Sequence, residues 1–192
     1  MEPVLREKDF ETLSIRFSGF GGQGIVLAGV IYGEAAVADG LNAVQTQAYG
    51  SASRGGASKC DLIISREKIY ELESPQVDVL ISMSQDAYET YVGHLKKGGV
   101  LIVDQDLVQA NPEEVEIHKI SASDIAFKKF GQKIIGNMVI VGYLAALLGI
   151  VSKESLQKSI QRHLPQKVVE DNFRALEVGY NLGLERSKNR EN

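Results

Sequence analysis

Between two apolar runs the sequence places Gly19-Phe20-Gly21-Gly22-Gln23-Gly24, which satisfies the spacing G-x-G-x-x-G. In a nucleotide-binding fold such glycines make a tight turn and let backbone N–H groups at a helix N-terminus approach a pyrophosphate. A nicotinamide site also needs an acidic residue at the end of the second strand, to hold the ribose hydroxyls. That strand runs here into Gln45-Thr46-Gln47-Ala48, and Asp39 comes before it. Two readings stay open: glycines that pack a helix on a sheet, or a loop that meets an anionic group of another ligand or of a partner's cofactor. Gln23 either hydrogen-bonds such a group or caps the loop. A P-loop is excluded, because Ile25-Val26 stands where Lys-Ser or Lys-Thr is required. Ala38-Asp39-Gly40 resembles half of a thiamine diphosphate motif, but the asparagine of the second half is missing.

A second unusual stretch is Tyr49-Gly50-Ser51-Ala52-Ser53-Arg54-Gly55-Gly56-Ala57-Ser58, with Arg54 as its single charge. Backbone amides around glycine can form an anion nest, and the arginine fork matches a phosphate or carboxylate. Both loops leave strands at the carboxyl edge of the expected sheet, where open α/β folds bind ligands. They are expected to converge there, carrying Gln23, Gln45, Gln47, Tyr49, Ser51, Ser53 and Arg54. Small side chains suit close packing against another protein equally well. A surface salt bridge for Arg54 is the plain alternative.

The remaining reactive residues are scattered. Cys60 is the only cysteine and sits in an apolar run. It reads as a buried filler, and one thiol cannot ligate an iron–sulfur cluster or build a zinc site. His94, His118 and His163 have no second ligand at metal spacing. Asp104 and Asp106 follow a buried strand and read as a carboxylate pair or as caps of the next turn. Asn137 reads as an N-cap. Nothing combines nucleophile, base and oxyanion donor.

These residues need a scaffold to position them. The chain has 192 residues, 44% hydrophobic, with 21 basic against 25 acidic side chains. A net charge of −4 is a poor match to nucleic acid. No apolar run reaches the roughly 18 residues that cross a membrane, and no signal peptide is visible, so a cytoplasmic protein is expected. Periodicity predicts strands at Leu13–Phe17, Ala43–Gln47, Ser58–Ser65, Lys68–Leu72 (paired with the preceding strand around Arg66-Glu67), Val77–Met83, Val100–Val103 and Val115–Ile120. Helices are predicted at Ile25–Ala38, Ser84–Leu95 (closed by Lys96-Lys97-Gly98-Gly99), Ser123–Phe130, Asn137–Leu148, Ser152–His163 and Val168–Leu184. The order predicts a three-layer α/β/α domain over residues 13–186: a Rossmann-like open mixed sheet with helices on both faces, a helical C-terminal part and loose termini.

Taken in order, Gly19-Phe20-Gly21-Gly22-Gln23-Gly24, Gln45-Thr46-Gln47-Ala48-Tyr49-Gly50, Arg54-Gly55-Gly56-Ala57-Ser58 and Ile63-Ile64-Ser65 resemble the γ subunit of 2-oxoacid:ferredoxin oxidoreductases. Asp78-Val79-Leu80-Ile81, Gly98 to Asp104, Gly136-Asn137 and Asn172 to Gly179 fit the same pattern. The resemblance covers roughly residues 13–184, and its wording is most like the 2-oxoglutarate branch.

The resemblance implies a non-catalytic subunit of a complex that converts a 2-oxoacid and coenzyme A to acyl-CoA and carbon dioxide, with electrons passed to ferredoxin. It implies α, β and ferredoxin-like δ partner subunits. Thiamine diphosphate, Mg2+ and 4Fe-4S clusters would lie on those partners, none on this chain. It makes Gly21, Gly22, Gln23, Gly24, Arg54, Gly55 and Gly56 candidate loops facing CoA or a neighbouring subunit, with Gln47, Tyr49, Ser51 and Ser53 at an interface. The alternatives are the pyruvate, 2-oxoisovalerate or indolepyruvate branch, a stand-alone nucleotide-binding oxidoreductase, or an anion-sensing regulatory module.

Overall fold

The computed structural model describes residues 10–49, 56–111 and 115–188. Alternating and continuous apolar runs become six strands: β1 (Thr12–Gly19), β2 (Asn42–Ala48), β3 (Ser58–Ser65), β4 (Val77–Ser82), β5 (Leu95–Asp104) and β6 (Glu116–Ile120). They form one mixed sheet in the order β2-β3-β1-β4-β5-β6. β1, β4, β5 and β6 run parallel, while β3 is antiparallel to both β1 and β2. The helices are α1 (Ile25–Ala38), α2 (Gln85–Tyr91), α3 (Ala122–Phe130), α4 (Gly136–Leu148), α5 (Lys153–His163) and α6 (Gln166–Lys188). The expected α/β architecture is present, with unequal layers. α1, α3, α4, α5 and α6 share a core with Leu13, Ile15 and Phe17 on one face of the sheet. Among the described residues the other face, around Leu80, Leu101 and Val103, is covered by α2, the short 3₁₀ turn after it, Val92–His94, and the segment after β5 with Val108 and Ala110.

α4 is apolar all round because it lies inside the domain, and α1 is nearly so, with Glu34 and the exposed Val37 toward its end. α4 is buried at every residue, enclosed by α1, α3 and α6. Its crossing with α6 is made by glycine. A Cβ at Gly179 would lie 1.8 Å from the Val139 carbonyl oxygen, and one at Gly142 2.0 Å from that of Leu176. The two backbones touch where side chains would normally stand between them. α5, by contrast, is amphipathic and capped: Ser152 Oγ accepts from Ser155 N at 3.2 Å, and Asp39 accepts from Ser152 N and from the hydroxyls of Ser152 and Ser155.

Three local expectations are corrected. Lys68–Leu72 is not a strand; β3 ends at Ser65 and pairs with β1 and β2. The helix after β4 ends at Tyr91, and Ser84 is its N-cap, accepting from Ala87 N. Lys96-Lys97-Gly98-Gly99 therefore closes no helix. It lies within β5, where Gly98 adopts a positive φ of 72° and the pairing with β4 shifts register between Val77 and Val79. Lastly, β1 starts at Thr12, one residue before the expected strand, and Phe10 ahead of it is buried in the main core.

Candidate functional site

The carboxyl ends of β1, β4, β5 and β6 define one edge of the sheet. Because β3 is antiparallel, its first residue, Ser58, lies beside Gly19 at that same edge, and the end of β2 lies beside Lys59. The two glycine-rich segments therefore leave from one edge. The chain passes from β1 to β2 and β3 on one side and to β4 on the other, so Gly19–Gly24 sits where the strand order reverses. That is the usual ligand crevice of an open α/β sheet.

The loop is held from below by side-chain amides. Gln23 is buried; its Oε1 accepts from Phe20 N at 2.9 Å and its Nε2 donates to the Met83 carbonyl at 2.6 Å. Each end of the amide makes a hydrogen bond that braces the loop against the residue following β4, as the capping alternative describes. Asn137 is not the N-cap of α4. It sits inside the first turn, and its Nδ2 donates to the Gly24 carbonyl at 3.2 Å. Gly24 itself has φ 72°, and a Cβ there would fall 2.2 Å from Asn137 Nδ2. Sequence reasoning missed this link because its two ends are 113 residues apart. Replacing Asn137 with alanine removes the hydrogen bond and opens a gap beneath the loop. The expected loss is about 1–2 kcal/mol in chemical denaturation, with faster amide exchange at residues 22–25.

Above this support the loop is open. Gly21 and Gly22 are exposed, a Cβ at either would meet nothing within 4 Å, and Phe20 is 43% exposed. α1 begins without a side-chain cap and without an acidic residue in its first turn. Its N-terminal N–H groups and dipole leave a positive end that suits an anionic group. Beside it, Gln47 is exposed and Tyr49 is 66% exposed. Gln45 turns away: its Nε2 donates to Cys60 Sγ at 3.2 Å, inside the domain. Ser51, Ser53, Arg54 and Gly55 lie outside the described residues; Gly56 follows them, and the carbonyl of Ala57 accepts from Tyr91 Oη at 3.2 Å.

Tyr91 leads to a group the sequence did not announce. Arg16 projects from β1 onto the thinly covered face of the sheet and is 2% exposed. Its Nε and Nη2 donate to the two oxygens of Asp61 at 2.5 and 2.8 Å, and Lys59 Nζ donates to Asp61 Oδ2 at 2.7 Å. The third arm, Nη1, donates to His94 Nδ1 at 2.6 Å, and the guanidinium lies 5.2 Å from the centre of the Tyr91 ring. Burial alone would raise the Asp61 carboxyl, but the hydrogen bonds from Arg16 and Lys59 outweigh it and hold Asp61 below the usual carboxylate range. Tyr91 thus ties a buried ion pair to the strand that carries the second loop.

The other candidates are structural. Asp104 Oδ2 accepts from Ser123 N at 3.0 Å and from its hydroxyl, while Oδ1 accepts from Asp106 N. Burial raises the Asp104 carboxyl. These aspartates hold the start of α3 and do not face one another as a reacting pair. Burial also pushes the Cys60 thiol up to about 11, away from thiolate chemistry. His118 is buried against Tyr143 Oη at 2.6 Å and Glu116 at 2.5 Å, and His163 meets Glu34 at 2.9 Å. Among the described residues no group of three His, Cys, Asp or Glu is placed to hold a metal ion, and no helix is long and apolar enough to cross a membrane.

The sequence matches the family model described as Pyruvate ferredoxin/flavodoxin oxidoreductase over residues 14–182. It is 46% identical over 175 residues to 2-oxoglutarate synthase subunit KorC of Methanocaldococcus jannaschii, covering 89% of this chain and 94% of that protein. The structure is similar to the crystal structure of the γ subunit of a keto/oxoacid ferredoxin oxidoreductase from Geobacter sulfurreducens. The TM-score is 0.81 at 41% identity, covering 91% of this chain and 97% of that one. It is equally similar, at TM-score 0.81 and 25% identity, to part of the 2-oxoglutarate:ferredoxin oxidoreductase from Magnetococcus marinus, solved with 2-oxoglutarate, coenzyme A and succinyl-CoA bound. There it covers 91% of this chain and 31% of that chain.

Proposed function

The chain belongs to the pyruvate ferredoxin/flavodoxin oxidoreductase family, and from that premise we propose that it is the γ subunit of a 2-oxoglutarate:ferredoxin oxidoreductase. The complex oxidatively decarboxylates 2-oxoglutarate with coenzyme A, giving succinyl-CoA and carbon dioxide, and passes the electrons to ferredoxin. The observation that carries this reading is the nearly full-length likeness to a 2-oxoglutarate synthase subunit. The residues present do not fit the redox groups such a reaction needs. One cysteine cannot bind a cluster by thiolates, and no thiamine diphosphate motif is present. Those groups belong on α, β and ferredoxin-like δ partners in the cytoplasm, and the isolated chain is inactive.

This chain contributes a surface. Gly21, Gly22 and Gly24, together with Arg54, Gly55 and Gly56, form the edge that faces coenzyme A or a neighbouring subunit. Gln47, Tyr49, Ser51 and Ser53 extend that edge as interface. Gln23 acts as a positioning residue, because both ends of its amide are engaged within the loop. The uncapped start of α1 and the arginine fork suit the phosphates of coenzyme A.

The test is co-expression with the candidate partner subunits, native isolation, and assay of CoA-dependent reduction of a low-potential acceptor. A complex most active with 2-oxoglutarate is expected; preference for pyruvate or a branched oxoacid would move the chain to another branch. A chain that elutes alone, with no activity in the partners' presence, would overturn the reading. Within the active complex, Arg54→Ala and Gly21→Ala probe the loops. Gly21 has room for a methyl group in the free chain, so a changed KM for coenzyme A or weaker assembly would report contact at the edge. Wild-type kinetics and assembly in both variants would remove the loops from the site.

A further inference from the structure

The segment expected to pair with β3 and found outside the sheet is unusual in what it leaves open. Lys68-Ile69-Tyr70-Glu71-Leu72 alternates residue types as a strand does, yet no hydrogen bond among the described residues involves a backbone group between Lys68 and Glu73. Ile69 is half-buried beside a cleft of about 390 Å3 that also reaches Ile63, Ser14 and Lys96. Tyr70 borders the same cleft yet is 86% exposed, and Leu72 is 63% exposed. A tyrosine and a leucine two positions apart thus present apolar surface beside backbone donors and acceptors that have no partner among the described residues. They are the usual anchors of a protein contact.

The surrounding charge narrows the occupant. Glu67, Glu71 and Glu73 are exposed against Lys68 alone between positions 67 and 73. Two copies of this segment would bring carboxylates together, so a second copy of the chain is a poor occupant. A basic surface is a good one. The location also matters. Ser65 pairs with Thr12 at the start of β1, so the segment projects from the sheet edge opposite the glycine loops. A neighbour could be held here while those loops engage another.

We infer that residues 68–73 form a docking segment for another subunit of the assembly, one whose surface offers an apolar pocket to Tyr70 and Leu72 and basic side chains to Glu67, Glu71 and Glu73. This rests on the reading of the chain as a subunit. The open backbone adds main-chain hydrogen bonding to the contact, as when an extended segment pairs with a strand edge.

The test uses the co-expressed complex. The double variant Tyr70→Ser/Leu72→Ser and, separately, Glu71→Lys/Glu73→Lys are compared with wild type for retention of the chain by native mass spectrometry. Amide exchange over residues 68–73 is measured in the free chain and in the complex. Both variants should melt like the wild-type chain, since the side chains replaced are exposed. Each should be held at least about tenfold more weakly by the complex, and exchange in the wild-type segment should slow at least about tenfold on assembly. Full retention of both variants with unchanged exchange would overturn the proposal while leaving the functional reading intact. A change confined to self-association of the free chain would also overturn it, by making the occupant a second copy. Failure of the wild-type chain to assemble at all would remove the functional reading and this one with it.

Discussion

Substituting Arg16 by methionine is expected to cost about 3 kcal/mol of folding stability at neutral pH, near the lower end of what breaking a buried ion pair costs. The loss comes from the partner left behind. Asp61 stays buried with only Lys59 donating to it, and Lys59 is 20% exposed. Removing both members should therefore be milder than removing one: Arg16→Met/Asp61→Leu should come within about 1 kcal/mol of wild type. The pH dependence has a definite sign. Asp61 has a folded pKa below its unfolded value of about 3.9, so its contribution is complete above that value and fades as the pH falls through the folded pKa. The gap between wild type and Arg16→Met should accordingly narrow in acid. Urea denaturation from pH 7 down to about pH 2 checks both statements, since the narrowing lies below the unfolded value. A single variant as stable as wild type at pH 7 would mean the pair contributes nothing. Loss of the pair should also free Tyr91, and with it the hydrogen bond to the Ala57 carbonyl beside the second loop.

The second large effect is expected where α4 and α6 cross. Alanine at an exposed helical glycine normally gains about 1 kcal/mol. At Gly179 the added methyl group has no space, because the Val139 carbonyl oxygen lies 1.8 Å from where its carbon would be. The helices must separate, and the expected outcome of Gly179→Ala is a net loss of about 3 kcal/mol, at the upper end for overpacking. Gly93→Ala is the control: it has no neighbour within 4 Å and no positive φ, so its effect should stay within about 0.5 kcal/mol. The consequence reaches the site, because α4 carries Asn137, which holds the Gly24 carbonyl. Thermal melts of the two variants, with amide exchange at residues 22–25, separate a local strain from one passed along α4. Equal melting temperatures for both variants would sink the idea.

Much of the scaffold was legible because it depends on local pattern. The apolar runs at Ile25–Ala38 and Gly136–Leu148 are long enough to be buried helices, and the short runs at Val77 and Val100 are of parallel-strand type. What failed depends on partners far away in the chain. Alternation at Lys68–Leu72 shows that a strand could form, not that another strand is there to receive it. Lys96-Lys97-Gly98-Gly99 has the chemistry of a helix end, yet the positive φ at Gly98 serves a bend within β5. The glycine spacing placed its loop at the carboxyl edge of the sheet, where it lies, and the chemistry of Gln23 was read to within two alternatives. Asn137 was legible only as a helix-start residue, since nothing local says that its amide meets Gly24. Arg16 and Asp61 are charges in two separate strands, and only the antiparallel register makes them neighbours.

The enclosure of α4 has a consequence for how the protein comes into being. A ribosome delivers β1 through α4 before α6, so a helix that ends up buried at every residue emerges while its cover is still unmade. Until α6 leaves the tunnel, Val139, Gly142 and Tyr143 have no helix to close against. At that stage the face of α4 that will meet α6 is open to solvent, and the crossing that fixes α4, with Asn137 beneath the Gly24 carbonyl, is completed only when α6 packs.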